Sequence, residues 1–587
     1  MKTFLLSAIL LLAILARGAP IGATGPFECQ AELKSQNKID ELVFGRLERL
    51  GIRPANVCSD AVFVRRAYLD VIGTLPTVPE VSQFLMSREP NKRSHMIERL
   101  LAREEFADYW AMKWSDVLRV KAEFPINLWP NAAQAYHRWI RTCIKENMPY
   151  DRFAREMLTA SGSNFRVPQV NFYRAMQNKE PQAIAQTVAL TFMGVRADKW
   201  PKERLSGMAA FFLNVGYKQT SEWKEEIVFF DPGKTNTAST AGPAEPIFPD
   251  GTPARLVADR DPREVFADWL VCAKNPWFTR NIANRVWFWL LGRGIVHEPD
   301  DIRPDNPPSN PELLLCLEQE LVDSHYDLKR LYRLILNSKT YQLSSINPVA
   351  ADVSRRTQSR TELAPTNRRI VGQASRLSPG RLALESTNAG ETPVVTGGTP
   401  APLLAQDDLS LSDAEREANF AQYPLRRLEA EVLIDALNQV TGTTEKYTSP
   451  IPEPFTFIPE HLRSIALPDS SVTSPFLEMF GRPSRDTGLE SERNNRPTAS
   501  QCLHLLNSRH VQGKLEESPN LRNLLESKVS PREVVNSLYL MVLSRYPSDE
   551  EWKVAWDYSK DGNVKRRDTL MDLAWALINN PEFLYRH

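Results

Sequence analysis

Apolar residues recur at helical spacing along most of this 587-residue chain, in short runs that a Gly or a Pro cuts off. No stretch alternates long enough to build a large sheet. Over 38–50, Ile39, Leu42, Val43, Leu47 and Leu50 share one helical face. A second helix starts near Asp60, carries Val64, Tyr68 and Leu69, and stops at Gly73-Thr-Leu-Pro76. Thr77-Val-Pro-Glu80 then reads as an N-cap with Pro in the first turn. Pro181 to Val195 and Pro201 to Phe212 predict two further helices. Thr279 to Leu291 is apolar almost all round and closes on Gly292-Arg-Gly294, the pattern of a central core helix. With 43 prolines, rigid turns between short helices are expected throughout. The fold class is mainly α: two packed multi-helical domains, 35–215 and 262–587, with a small β excursion over 216–261. The excursion is expected from the β-prone runs Glu226–Phe230 and Ile247–Gly251. Residues 372–419 contain no aromatic side chain and read as a disordered insertion.

The first residues follow a different logic. Lys2 precedes a short apolar run ending at Ala16, and Ala16-Arg-Gly18 places small residues where a signal peptidase cuts, so 1–18 reads as a signal peptide. The run is too short to span a bilayer once mature, and no later segment is apolar enough to do so. The chain is therefore expected in the periplasm or outside the cell. Lys+Arg and Asp+Glu are both 72, a balance that argues against a nucleic-acid partner.

The six cysteines, Cys29, Cys58, Cys143, Cys272, Cys316 and Cys502, form no C-x-x-C and lie beside no His, so zinc, iron–sulfur and attached-haem motifs are absent and no cofactor is expected. Export makes a Cys29–Cys58 disulfide one option and scattered thiols the other. Among the eight histidines only His504 and His510 are near neighbours, and six apart is poor ligand spacing on a helix. His297, Glu298, Asp300, Asp301 and Asp305 put five polar groups on one loop that could bind a cation such as calcium through oxygens, but not at the spacing of a calcium hand; capping and loop hydrogen bonding are the favoured roles. Arg482, Arg485, Glu490, Glu492 and Arg493 form a second charged cluster. An Arg pair there suits a carboxylate or sulfate group; an internal ion-pair network or a solvated charged face is the favoured alternative. Trp110, Trp114 and Trp129, or Trp287 and Trp289, could stack on sugar rings, although helical spacing favours the core. Arg285, inside so apolar a helix, needs a carboxylate, and Asp300 or Asp301 is the expected partner. On that reading Arg285→Met is less harmful than removing the acidic partner alone.

Five blocks, taken together, resemble one family. They are Phe63-Val-Arg-Arg-Ala-Tyr-Leu-Asp-Val-Ile-Gly-Thr-Leu-Pro76; Asn147-Met-Pro-Tyr-Asp-Arg-Phe153; Asn281-Ile-Ala-Asn-Arg-Val-Trp287 with Gly292-Arg-Gly-Ile-Val296 and Asp300-Asp301; Arg427-Leu-Glu-Ala-Glu431; and Trp575 to His587. The chain resembles the secreted two-domain proteins of planctomycetes that pair domains of unknown function 1549 and 1553, the first also labelled a planctomycete cytochrome-type domain. Many relatives carry a haem-type Cys-x-x-Cys-His after Phe-x-Gly-Val; here Val195-Arg-Ala-Asp-Lys-Trp200 runs straight through. Relatives also place two Cys around a Glu where this chain has Leu489 and Ser491. The 372–419 segment resembles a translated interspersed repeat.

Three functional classes follow. The first is a non-haem, non-catalytic binding or scaffold protein whose partner is another exported protein or a cell-surface polysaccharide. The second is an exported enzyme on polysaccharides, with Asp300, Asp301, Arg482, Arg485, Glu490, Glu492 and Arg493 as its site. The third is a cytochrome-type redox protein, which the missing Cys-x-x-Cys-His disfavours. A pocket uniting Asp300, Asp301, Arg485 and Glu492 would favour the enzyme; dispersed, ion-paired side chains would favour the binding protein.

Overall fold

The computed structural model describes residues 26–29, 33–234, 245–257, 260–347, 413–456, 458, 461–560 and 565–587. It is 54% helical, with sheets of only two or three strands. Seven helices position the sites below: α1 (Asp60–Ile72), α2 (Glu104–Val117), α3 (Pro181–Val188), α4 (Phe278–Leu291), α5 (Ala430–Thr441), α6 (Ala499–Asn507) and α7 (Arg509–Glu516). Local chemistry sets their ends. Ser59 accepts a hydrogen bond from Val62 N at the start of α1, and Gly73 closes it in the left-handed region at φ 58°. Thr77 and Glu80 form a reciprocal capping box on the next helix.

The helices surround one continuous core that runs from Ile39 to Phe583. Two helices form its centre. On α2, Trp110 and Trp114 are buried; on α4, Trp287 and Trp289 are buried. The Trp289 ring lies 5.4 Å from that of Trp110 and 5.5 Å from that of Trp114, so the two halves of the chain meet through tryptophan. Each fully buried large apolar side chain contributes roughly 1.5–3 kcal/mol, which makes this seam a main source of stability.

The β excursion differs from expectation. β1 (Gly162–Ser163), β2 (Val215–Gln219) and β3 (Glu226–Phe230) form an antiparallel sheet in the order β1-β3-β2, with Val215 opposite Phe230. The Ile247–Gly251 run supplies only an isolated bridge from Ile247 to Pro253. The partner of Glu226–Phe230 is instead Val215–Gln219, which begins inside the residues assigned to the first domain. A second ribbon pairs β4 (Arg426–Arg427) with β5 (Tyr585–Arg586).

The helix expected over Pro181 to Val195 stops being α-helical at Val188, passes through a π-turn at Ala189–Met193 and ends on Gly194 at φ 65°. Of the expected insertion, 372–412 lies outside the described residues. Residues 413–419 do not behave as an insertion: Asp413–Ala418 is helical, and Arg416 is buried and donates to the Arg53 carbonyl at 2.8 Å. All six cysteines are free thiols; Cys29 Sγ lies 3.6 Å from the Cys58 carbonyl oxygen. No helix among the described residues is long and apolar enough to cross a membrane.

Candidate functional site

Arg285 projects from α4 with no solvent exposure. Its guanidinium donates to Asp300 at 2.7 Å and to Glu490 at 2.9 Å. Trp289 Nε1 donates to the same Glu490 oxygen at 2.7 Å, and the Glu490 backbone N–H donates to Asp300 Oδ2 at 2.7 Å. The Asp300 loop is held in place by Asn284, whose side chain brackets the Val296 N–H and C=O at 2.9 Å each. Gly194 completes the support. Its carbonyl accepts from Ile302 N at 2.8 Å, and Asn281 Nδ2 donates to Thr191 O at 2.9 Å. A Cβ at Gly194 would stand 2.7 Å from Asn281 Oδ1 and 3.0 Å from the Pro299 carbonyl. The turn after Gly194 is thus docked on the Asp300 loop, with Arg196 3.7 Å from Glu298.

The 482–493 segment continues the arrangement toward α2 and α5. Asp116, at the end of α2, receives Arg485 at 2.9 Å and Arg493 at 2.7 Å. Arg493 also grips Glu431 bidentately, at 2.6 and 3.1 Å, and Arg482 approaches the same carboxylate at 3.4 Å. Glu431 sits in the first turn of α5, where the helix dipole favours a negative charge. A further layer lies behind it. Glu429 pairs with Lys113 and Arg586, each at 2.6 Å, while Asp70 of α1 takes Arg426 and Arg586 at 3.1 Å and the hydroxyls of Tyr341 and Tyr423 at 2.9 and 2.7 Å. Six carboxylates and seven cations thereby close on one another between the two halves of the chain.

Electrostatics follow the geometry. Burial would raise the Glu431 carboxyl, but Arg493 and then Arg482 outweigh it and hold it at about 2. Glu429 is likewise well below the usual range, because Arg586 and Lys113 overcome its burial. Burial draws the Arg482 guanidinium down to about 10 despite Glu431. Glu490 goes the other way: burial, helped by the adjacent Asp300, pushes its carboxyl up against the pull of Arg285.

Of the residues singled out from sequence, Asp300, Arg482, Arg485, Glu490 and Arg493 converge here. Asp301 does not: it pairs with Arg303 at 3.2 Å, as Asp305 does at 3.3 Å. Glu492 closes its own loop, accepting from Asp486 N at 2.8 Å and Thr487 N at 3.1 Å. Sequence reasoning missed Asp70, Lys113, Asp116, Glu429, Glu431, Arg426 and Arg586 as members. A signal was present for Asp70, Glu429, Glu431 and Arg586, which are among the charged residues embedded in the five blocks that carry the resemblance.

Other candidate groups separate. His504 Nε2 lies 3.4 Å from His510 Nδ1, and His510 Nε2 lies 2.8 Å from Glu445. Burial, then His510, lowers the His504 pKa. No group of three or more His, Cys, Asp or Glu with metal-holding geometry occurs among the described residues. Trp110, Trp114, Trp287 and Trp289 belong to the core; a half-open pocket of about 30 Å³ beside Trp110, Trp114 and Tyr150 has room for one or two waters. Trp129 alone of the five reaches the surface, beside Trp223 and Phe455.

Two family models match. One is described as a protein of unknown function (DUF1549; PSCyt2) and covers residues 38–214; the other is described as a protein of unknown function (DUF1553; PSD1) and covers 262–379 and 405–559. The second match pauses over 380–404, within the segment read as an insertion. No curated protein and no solved structure matches the chain.

Proposed function

The chain belongs to the family that pairs these two domains of unknown function, and from that premise we propose that it is an exported, non-haem binding or scaffold protein. It acts in the periplasm or at the cell surface on another exported protein or a polysaccharide. The observation that carries this reading is the closure of the buried charges. Asp116, Asp300, Glu431 and Glu490 each meet an arginine of this same chain, and the pairs of Asp116 with Arg485 and Arg493 tie the two halves together. The signal-like first 18 residues support export, and the absence of Cys-x-x-Cys-His supports the non-haem assignment.

A second reading, an enzyme on polysaccharides, draws on one observation: the Glu490 carboxyl is pushed up beside Asp300, the condition of a general acid. Incubation of the mature protein with a panel of polysaccharides, followed by a reducing-end assay, separates the two. The binding reading expects no product from the parent or from Glu490→Gln. Product from the parent that vanishes in Glu490→Gln would establish the enzyme instead.

A further inference from the structure

Three aromatic rings from distant parts of the chain meet on the surface. Trp129 comes from the loop before the Pro130–Lys145 helix, Trp223 from the turn between β2 and β3, and Phe455 from the loop after α5. Their centroids are 4.7 Å (Trp129–Trp223), 5.5 Å (Trp129–Phe455) and 5.2 Å (Trp223–Phe455) apart, and Trp223 stands at 74° to Trp129. Trp223 is 59% exposed and Phe455 42%. Contiguous exposed rings of this kind form an apolar patch of the sort that marks a binding surface.

Two backbone conformations hold the group. Trp129 has φ 72° and Lys224 φ 62°, a region that bulky side chains rarely enter, and each costs on the order of 1 kcal/mol. Lys224 Nζ lies 5.2 Å from the Trp129 ring centre and 5.7 Å from that of Trp223. Its side chain is exposed, and it has no carboxylate partner among the described residues.

These features select an occupant. The open ring surface totals roughly 300 Å² by typical side-chain areas, well under the ~800 Å² a side that a stable protein complex buries. A pyranose ring has an apolar C–H face of about the width of one indole and a rim of hydroxyls that stay in water. Two rings at a steep angle give such a sugar a floor and a wall, and the unpaired ammonium at the rim suits a negative substituent. We propose that Trp129, Trp223 and Phe455, with Lys224, form a binding site for an acidic polysaccharide. This rests on the binding reading above and names its ligand class.

The test is native affinity electrophoresis of the full mature protein in gels containing polygalacturonate, dextran sulfate or neutral dextran. Retardation by an acidic polymer is expected, at least tenfold weaker in Trp223→Ala and in Phe455→Ala at unchanged melting temperature. Lys224→Gln is expected to lose the preference for acidic over neutral polymer. The two acidic gels distinguish a carboxylate from a sulfate as the recognised group. Phe455→Ala reads the same surface from a separate loop if Trp223→Ala does not fold. Equal retardation of parent and both Ala variants overturns the site, as does no retardation in any gel. Equal retardation by neutral dextran overturns the acidic class. A concentration-dependent dimer lost in Trp223→Ala would make the patch an interface between copies. Failure here leaves the binding reading standing; retardation with release of reducing ends would sink that reading and leave the site intact.

Discussion

Arg285 illustrates how a single residue can reverse an expectation. With one acidic partner, replacing the arginine is milder than stranding its charge. It has two, and Asp300 and Glu490 are themselves neighbours joined by a 2.7 Å hydrogen bond. Arg285→Met therefore leaves two buried carboxylates facing each other, at about 3–5 kcal/mol. Asp300→Asn leaves Arg285 with Glu490 and should cost about 1–3 kcal/mol. Thermal unfolding of the two variants checks the order; a larger loss for Asp300→Asn would show that Arg285 is not the hub. His137 gives a second prediction. Burial, then Arg485, Arg141 and Arg138, lowers its pKa to about 3 from the ordinary 6.5. The unfolded chain thus binds the extra proton between those values. The contribution is fully present above pH 6.5 and is lost as pH falls toward 3, by about 2 kcal/mol at pH 5. Denaturant unfolding of parent and His137→Gln at pH 7 and pH 5 should show the variant losing about 2 kcal/mol less. Equal losses would mean that His137 is already charged in the folded protein.

At the scale of elements, Gly194 ends the π-turn and seats the Asp300 loop. Gly194→Ala combines a positive φ with contacts at 2.7 and 3.0 Å that the neighbours must relieve. The expected loss is on the order of 2 kcal/mol or more. A melting temperature equal to the parent's would show that the loop is not seated there. Helices were legible because each carries its own period and its own stop, as Asp60–Ile72 does with Ser59 and Gly73. β2 was not: Val-Gly-Tyr-Lys-Gln has too little β-branching to mark itself, and its pairing with β3 is a tertiary choice. The Arg285–Asp300 pair was legible because a charge in an apolar helix demands a nearby opposite. The Asp116–Arg493 pair was not, since positions 377 apart carry no mark of being neighbours.

For the whole molecule, the shared tryptophan seam and the buried charges imply that both family domains unfold together. Calorimetry should show one transition with equal calorimetric and van't Hoff enthalpies. Arg493→Gln, which loosens Asp116 of α2 from Glu431 of α5, should lower its midpoint by several degrees. Two resolved transitions in the parent would contradict a single cooperative unit.

The layer around Asp70 also sets a clock on biosynthesis. Arg586, which pairs with Asp70, donates to the Leu69 carbonyl from 517 positions further along the chain. At about 5–20 residues per second, a ribosome takes about 25–100 s to deliver it after α1 has emerged. For that interval α1 holds a carboxylate meant for the interior without one of its cations, so the first half of the chain cannot finish folding by itself. Assembly of this layer waits for β5, and a chain halted before β5 is a natural client for a holding chaperone.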